Sequence, residues 1–171
     1  FVFLTGVTKL GKMSIFSGLN NLNDISMDLR YADICGISEC ELQANFDASV
    51  EELAAVCGLA KEKCYAKLAR MYDGYHFHTK AIGVYNPFSL LNTFYANEFR
   101  MYWFQTGTPS FLVRYLQAGR YNLDSISKDG VSVETLTGAN YVSPATITLR
   151  YQTGYLTIKD YDDRFGTYTL D

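Results

Sequence analysis

At 171 residues, 48% apolar and 19% charged, the chain has globular composition and enough length for one good core or two small ones sharing an interface. A net charge of −3 excludes a global basic field that would gather phosphate backbones, so nucleic-acid binding would need a local patch. No apolar run approaches the roughly 18 residues that a membrane span needs, and no basic-flanked secretory segment stands out, so a soluble, cytoplasmic protein is expected.

Cys35, Cys40, Cys57 and Cys64 lack C-x-x-C spacing, which points to free thiols rather than a disulfide framework or structural zinc. The 14 Tyr and 11 Phe are the oddity of composition and suit aromatic-rich packing between small helical layers, or an interface covered by other parts of a larger protein. The chain opens on Phe1, and residues 166–171 stop within an alternating apolar pattern, so an internal fragment is expected.

In chain order, residues 1–4 (Phe-Val-Phe-Leu) read as a strand buried on both faces of a parallel sheet. Residues 12–28 read as loops, with one more short strand near residues 22–25. Ser38 followed by Glu41 is a capping-box pattern that opens a helix to about Ala48. A second helix is expected from Ser49 or Val50 to Cys57, stopped by Gly58. A third runs from Ala60 to Tyr72, with Cys64, Leu68, Met71 and Tyr72 on one face.

Residues 73–78 form a turn segment. Each of the 3 prolines then opens a helix: Asn86-Pro87 to about Asn97, Thr108-Pro109 to Gly119, and Ser143-Pro144 to Gly154. Residues 155–160 and 165–170 flank the turn 161–164 as a β-hairpin, and a helix running directly into a hairpin is the tail of a winged helix-turn-helix unit.

Gly6-Val-Thr-Lys-Leu-Gly-Lys12 matches G-x-x-x-x-G-K after a buried-strand pattern, the setting of a phosphate-cradling loop. The match fails at Met13, where Ser or Thr would put a hydroxyl on Mg²⁺. The segment after it is broken by Ser17-Gly18 before a helix can form, and no apolar strand ending in an acid follows. A coincidental match in a glycine-containing loop is the better reading.

Six ordered blocks together carry a more specific signal. They are residues 1–9, residues 14–26, Tyr72-Asp-Gly-Tyr-His-Phe77, Tyr85-Asn-Pro-Phe-Ser-Leu-Leu91, Tyr102-Trp-Phe-Gln-Thr-Gly-Thr-Pro109 and Tyr151-Gln-Thr-Gly-Tyr-Leu-Thr-Ile158. In this order they resemble the second half of the bacterial AAA-ATPase-like domain family, whose members commonly carry a PD-(D/E)XK nuclease-like domain afterwards.

The resemblance implies an α+β, mainly helical chain. Residues 1–27 would be the last part of the ATPase core, an orphan sensor strand and its loop. Residues 28–80 would be a helical lid, and residues 81–171 a winged-helix-like module ending in the hairpin. It implies that the phosphate-binding loop and acidic strand lie upstream and the nuclease-like chemistry beyond Asp171, so ATP and Mg²⁺ would belong to the intact parent protein and none would bind this chain tightly. Thr5 or Thr8 would stand where the wider ATPase class senses the γ-phosphate or the attacking water.

Asn20, Asn21 and Asp24 suit either nucleotide or Mg²⁺ contacts, or turns bonded to their own backbone. Asp73 and His76 suit either an acid–imidazole pair or a hydrogen-bonded turn joining lid to wing, and His76 with His78 lacks a third metal ligand nearby in sequence. Trp103 reads as a core anchor, and Arg100, Arg114 and Arg120 as surface arginines or a second sensor.

Two functions follow as expectations. The first is a part of a nucleotide-dependent switch, partnered by the missing core. The second is an interaction module whose tip, with Asp160, Asp162 and Asp163 against Arg164, favours a protein over DNA. The strand at 1–10, torn from its sheet, is expected to pair with another copy or rearrange.

Overall fold

A computed structural model describes residues 23–102, 130–137 and 146–171. The chain divides into two compact units, Ser26–Thr108 and a second made of Phe1–Ile25 with Pro109–Asp171. The described parts are α+β and mainly helical. The expected strand at 1–4, the Gly6–Lys12 loop, Thr5, Thr8, Asn20, Asn21, Trp103, the helix after Pro109, Arg114 and Arg120 all lie outside the described residues.

The first unit opens with a 3₁₀ turn at Leu29–Tyr31, where the Asp28 carboxylate accepts from the Arg30 N–H at 3.0 Å. Helix α1 spans Glu39–Cys57 and is capped as its sequence dictates. The Glu41 carboxylate accepts from the Ser38 N–H at 2.9 Å, and the Ser38 hydroxyl oxygen accepts from the Glu41 N–H at 3.3 Å. The break expected between Ala48 and Ser49 does not occur. Leu42, Val50, Leu53 and Ala54 are buried and Phe46 and Cys57 pack against them, so one apolar stripe stays in phase for the whole length. Beside the expected break, half-buried Asp47 accepts from Lys61 and Tyr65 of α2.

Gly58 ends α1 in the left-handed region at φ 63°, accepted by glycine without a Cβ clash. Helix α2, Lys61–Tyr72, buries Cys64, Leu68 and Tyr72 at a spacing of four and rests on α1. Helix α3, Pro87–Ala96, starts at Asn86, whose side-chain oxygen accepts from the Ser89 N–H at 2.9 Å. It ends at Asn97, left-handed at φ 50°.

The core joins all three helices through Leu42, Val50, Leu53, Cys64, Leu68, Tyr72, Tyr85 and Leu90. The boundary expected between residues 80 and 81 therefore falls inside a compact unit. Leu90 of α3 closes the core of α1 and α2, and the Tyr72 hydroxyl donates to the Arg100 carbonyl at 2.8 Å. Cutting there would expose that core.

In the second unit, strand β1 (Val131–Ser132) leads into α4 (Val133–Leu136), then α5 (Thr146–Gln152), β2 (Ile158–Asp162) and β3 (Thr167–Leu170). The three strands form an antiparallel sheet in the order β1-β3-β2. Val131 pairs with Tyr168 and Asp162 with Thr167, and a bulge interrupts the register between Ile158 and Asp160. Helix α5 is tied to α4 by the Gln152 side-chain amide, which donates to the Leu136 carbonyl at 3.1 Å.

The hairpin is present, but its turn lies two residues later than expected: Tyr161 and Asp162 belong to β2. Two features move it. Gly166 takes the left-handed conformation at φ 64°, and the Asp162 carboxylate accepts from the Arg164 N–H at 2.9 Å. The start expected for the last helix, Ser143-Pro144, lies outside the described residues, and its end falls at Gln152, just before Gly154.

Candidate functional site

The chemistry-bearing side chains of the first unit gather on the loop between α2 and α3. Backbone bonds pin that loop at its base. The Asn86 N–H donates to the Tyr72 carbonyl at 2.9 Å, Val84 N–H to Tyr75 at 3.0 Å, and Tyr85 exchanges two bonds with Ile37 ahead of α1. Gly74 turns the chain at φ 108°, a conformation that costs a residue with a Cβ. Tyr75 and Phe77 meet edge to face with centroids 4.7 Å apart, which stiffens the rising arm.

Asp73 and His76 are brought together over Gly83. A methyl group at position 83 would sit 3.1 Å from Asp73 Oδ1 and 3.4 Å from His76 Nε2, so both groups occupy the space that glycine leaves. Each is also held by the backbone of Gly74. The Asp73 carboxylate accepts from the Gly74 N–H at 2.7 Å, and His76 Nδ1 lies 2.9 Å from the Gly74 carbonyl. A carbonyl only accepts, so Nδ1 carries the proton and a neutral His76 presents its basic nitrogen at Nε2, on the Gly83 side.

His78 adopts the opposite state. Its Nδ1 accepts from the Lys80 N–H at 3.0 Å, which places the neutral ring's proton on Nε2. Asp28 is pulled to about 2, first by the Arg30 side chain that grips it and then by the Arg30 backbone N–H.

Behind the loop sits an acid–phenol pair. Tyr85, 1% exposed, donates its hydroxyl to the Glu39 carboxylate in the first turn of α1. Burial, this bond and the nearby carboxylates of Glu39 and Asp73 hold the Tyr85 phenol well above its usual range. Further along α1, Lys61 bridges Asp47 at 2.7 Å and Glu51 at 2.6 Å, and Tyr65 donates to Asp47 at 2.8 Å. Among the described residues no group of three or more His, Cys, Asp or Glu is placed to hold a metal ion.

Of the nucleotide-proximal residues expected from sequence, only Asp24 is described, and it is exposed. Sequence reasoning missed Gly83, Tyr85 and Glu39. Glycines at 74 and 83 bracketing two histidines were a usable signal, whereas the 46-residue separation of Tyr85 and Glu39 carried none.

In the second unit the sheet ends in an exposed tip. Phe165 is 77% exposed, with the Arg164 guanidinium 5.9 Å from its ring centroid. Arg164 also lies 3.5 Å from Asp162, and Lys159 lies 3.5 Å from Asp171. Both cations of the hairpin thus stand beside carboxylates.

Among the described residues no helix is long and apolar enough to cross a membrane. The chain is 40% identical, over 158 residues, to a protein of Azotobacter chroococcum mcd 1 described as "Uncharacterized protein in vnfD 5'region". The match takes in 92% of this chain and 28% of that protein, so the chain spans a little over a quarter of its relative's length. No family model matches the chain, and no solved structure matches it.

Proposed function

We propose that this chain is the lid and winged-helix part of an AAA-ATPase-like, nucleotide-dependent switch protein, and that it does not turn over nucleotide by itself. One observation carries the reading. The order β1-α4-α5-β2-β3, with β1 returning to the far side of β3, is the arrangement in which a winged-helix unit sets two helices against a three-stranded wing. It stands after a three-helix unit whose first two helices lie in the segment that the resemblance implies as a lid. ATP and Mg²⁺ would be held by parts of the parent protein upstream of this chain.

The Asp73–His76 loop is the switch-side feature of this reading. Its two titratable groups are each held by the backbone of Gly74, which suits a rigid loop within the lid. The reading is tested by equilibrium binding of a fluorescent ATP analogue with Mg²⁺. The relative's full-length protein binds it, and the 171-residue chain does not. Equal, weak binding by both overturns it.

A second reading is a protein-interaction module without nucleotide dependence, favoured by the hairpin, whose two cations each stand beside a carboxylate and whose Phe165 is exposed at the tip. Salt-dependent DNA binding that is lost on changing Arg150 and Lys159, but not Lys61 and Lys63, counts against it.

A further inference from the structure

The outer face of α2 carries cations that the fold leaves without acids. Lys63, Lys67 and Arg70, at i, i+4 and i+7, lie in one stripe, with Lys63 and Arg70 exposed and Lys67 half-buried. Among the described residues Arg30, Lys61, Arg100, Lys159 and Arg164 each stand beside a carboxylate, whereas none pairs with these three. Glu98, next in sequence to Phe99, is taken by Arg100 at 2.6 Å. Lys67 Nζ instead lies 4.1 Å from the Phe99 ring centroid, a contact that steadies the ammonium and leaves its charge.

Helix stability does not account for the stripe. Arg70 sits in the last turn, where the helix dipole favours a cation, but Lys63 sits in the first turn, where it opposes one. We propose that the stripe binds the phosphate backbone of duplex DNA, as the local patch that a chain of net charge −3 needs for such a partner. From Lys63 to Arg70 the helix rises about 10 Å, at ~1.5 Å per residue. One DNA strand presents three phosphates over that length, at ~3.4 Å each. Such contacts position a protein without reading bases, so the binding is independent of sequence.

An acidic protein or a bilayer is a poorer match. Protein interfaces are anchored by aromatic and other apolar side chains and are depleted in Lys, and α2 exposes no large apolar residue. Helices that lie on lipid sink an apolar face into it, and the apolar face of α2, with Cys64, Leu68 and Tyr72, is spent on the core.

Fluorescence anisotropy of a labelled random-sequence duplex, titrated with the 171-residue chain from 50 to 200 mM NaCl, tests this. Three phosphate contacts predict that log K falls against log salt with a slope of about −2.7, or roughly 40-fold across that range. Lys63→Gln and Arg70→Gln, both exposed and so harmless to the core, are each expected to weaken binding and to reduce the slope by about 0.9, with unchanged far-UV circular dichroism. Absence of binding at 50 mM salt, binding that ignores salt, or variants that bind as the wild type does overturns the proposal. Loss on Arg150→Gln with Lys159→Gln instead, or tighter binding of a poly-glutamate peptide of equal charge, overturns it too.

Discussion

Tyr85 and Glu39 are 46 positions apart in sequence and hydrogen-bonded in the fold, and this bond fastens the descending arm of the Asp73–Val84 loop to the first turn of α1. The phenol is buried and the carboxylate is exposed, so the bond joins core to surface. Tyr85→Phe keeps the ring packing and removes only the donor. It is expected to lower unfolding stability by about 1.5–3 kcal/mol, the range for a hydrogen bond to a charged group, read from the midpoint of urea unfolding at unchanged slope. Glu39→Gln keeps an acceptor and is expected to lose less.

Gly83→Ala tests the crowding of Asp73 and His76. The added methyl would press on both side chains at 3.1 and 3.4 Å, so at least one must move. A cost of about 1 kcal/mol is expected, with a changed chemical shift for the His76 ring and an unchanged one for His78. Gly36→Ala is the severe counterpart. Its methyl would overlap Val84 at 2.4 Å, beside the Ile37–Tyr85 bridge, and a larger loss is expected.

Ser89 carries a buried hydroxyl without a hydrogen-bond partner among the described residues, in the first turn of α3. Burying such a group costs free energy that an apolar side chain does not incur. Ser89→Ala is therefore expected to raise stability by about 1 kcal/mol, seen as a higher melting temperature.

Alkaline pH should unfold the chain through its tyrosines. Burial pushes the Tyr151 phenol up to about 12, and burial with the Asp47 hydrogen bond does the same to Tyr65. In the unfolded chain these groups ionise near pH ~10. Their folded pKa values are raised, so their contribution is complete below the unfolded value and is lost as pH climbs towards the folded one. Circular dichroism and phenolate absorbance followed together should show helix loss and tyrosine ionisation proceeding in step between about pH 10 and 12.

What the residues disclosed beforehand, and what they withheld, follows the range of the forces involved. Ser38–Glu41, Gly58, Asn86-Pro87 and Gly154 act on their own neighbours, and all lie at an end of an observed helix or within two residues of one. The break expected at Ser49 is absent because the stripe of Leu42, Val50 and Leu53 continues through it. The turn was misplaced because Gly166, three residues beyond the last acid of the run, decides where the left-handed residue sits.

Strand β1 escaped notice for a different reason. Two residues give no period, and its pairing depends on Gly130 admitting Thr167, whose Oγ1 would lie 2.3 Å from any Cβ there. The candidate site was half legible. Asp73 and His76 were visible as a spaced pair, but their convergence over Gly83 and the bond between Tyr85 and Glu39 are made by tertiary packing alone.

The most direct test of the switch account is hydrogen exchange on the relative's full-length protein with Mg²⁺ and either ATP or ADP. The account predicts that the nucleotides change amide protection in the segment matching residues 72–86, where the loop is pinned between α2 and α3, and in the segment matching the β2–β3 wing. Identical exchange in both segments, under conditions where nucleotide binding is independently measured, would contradict it.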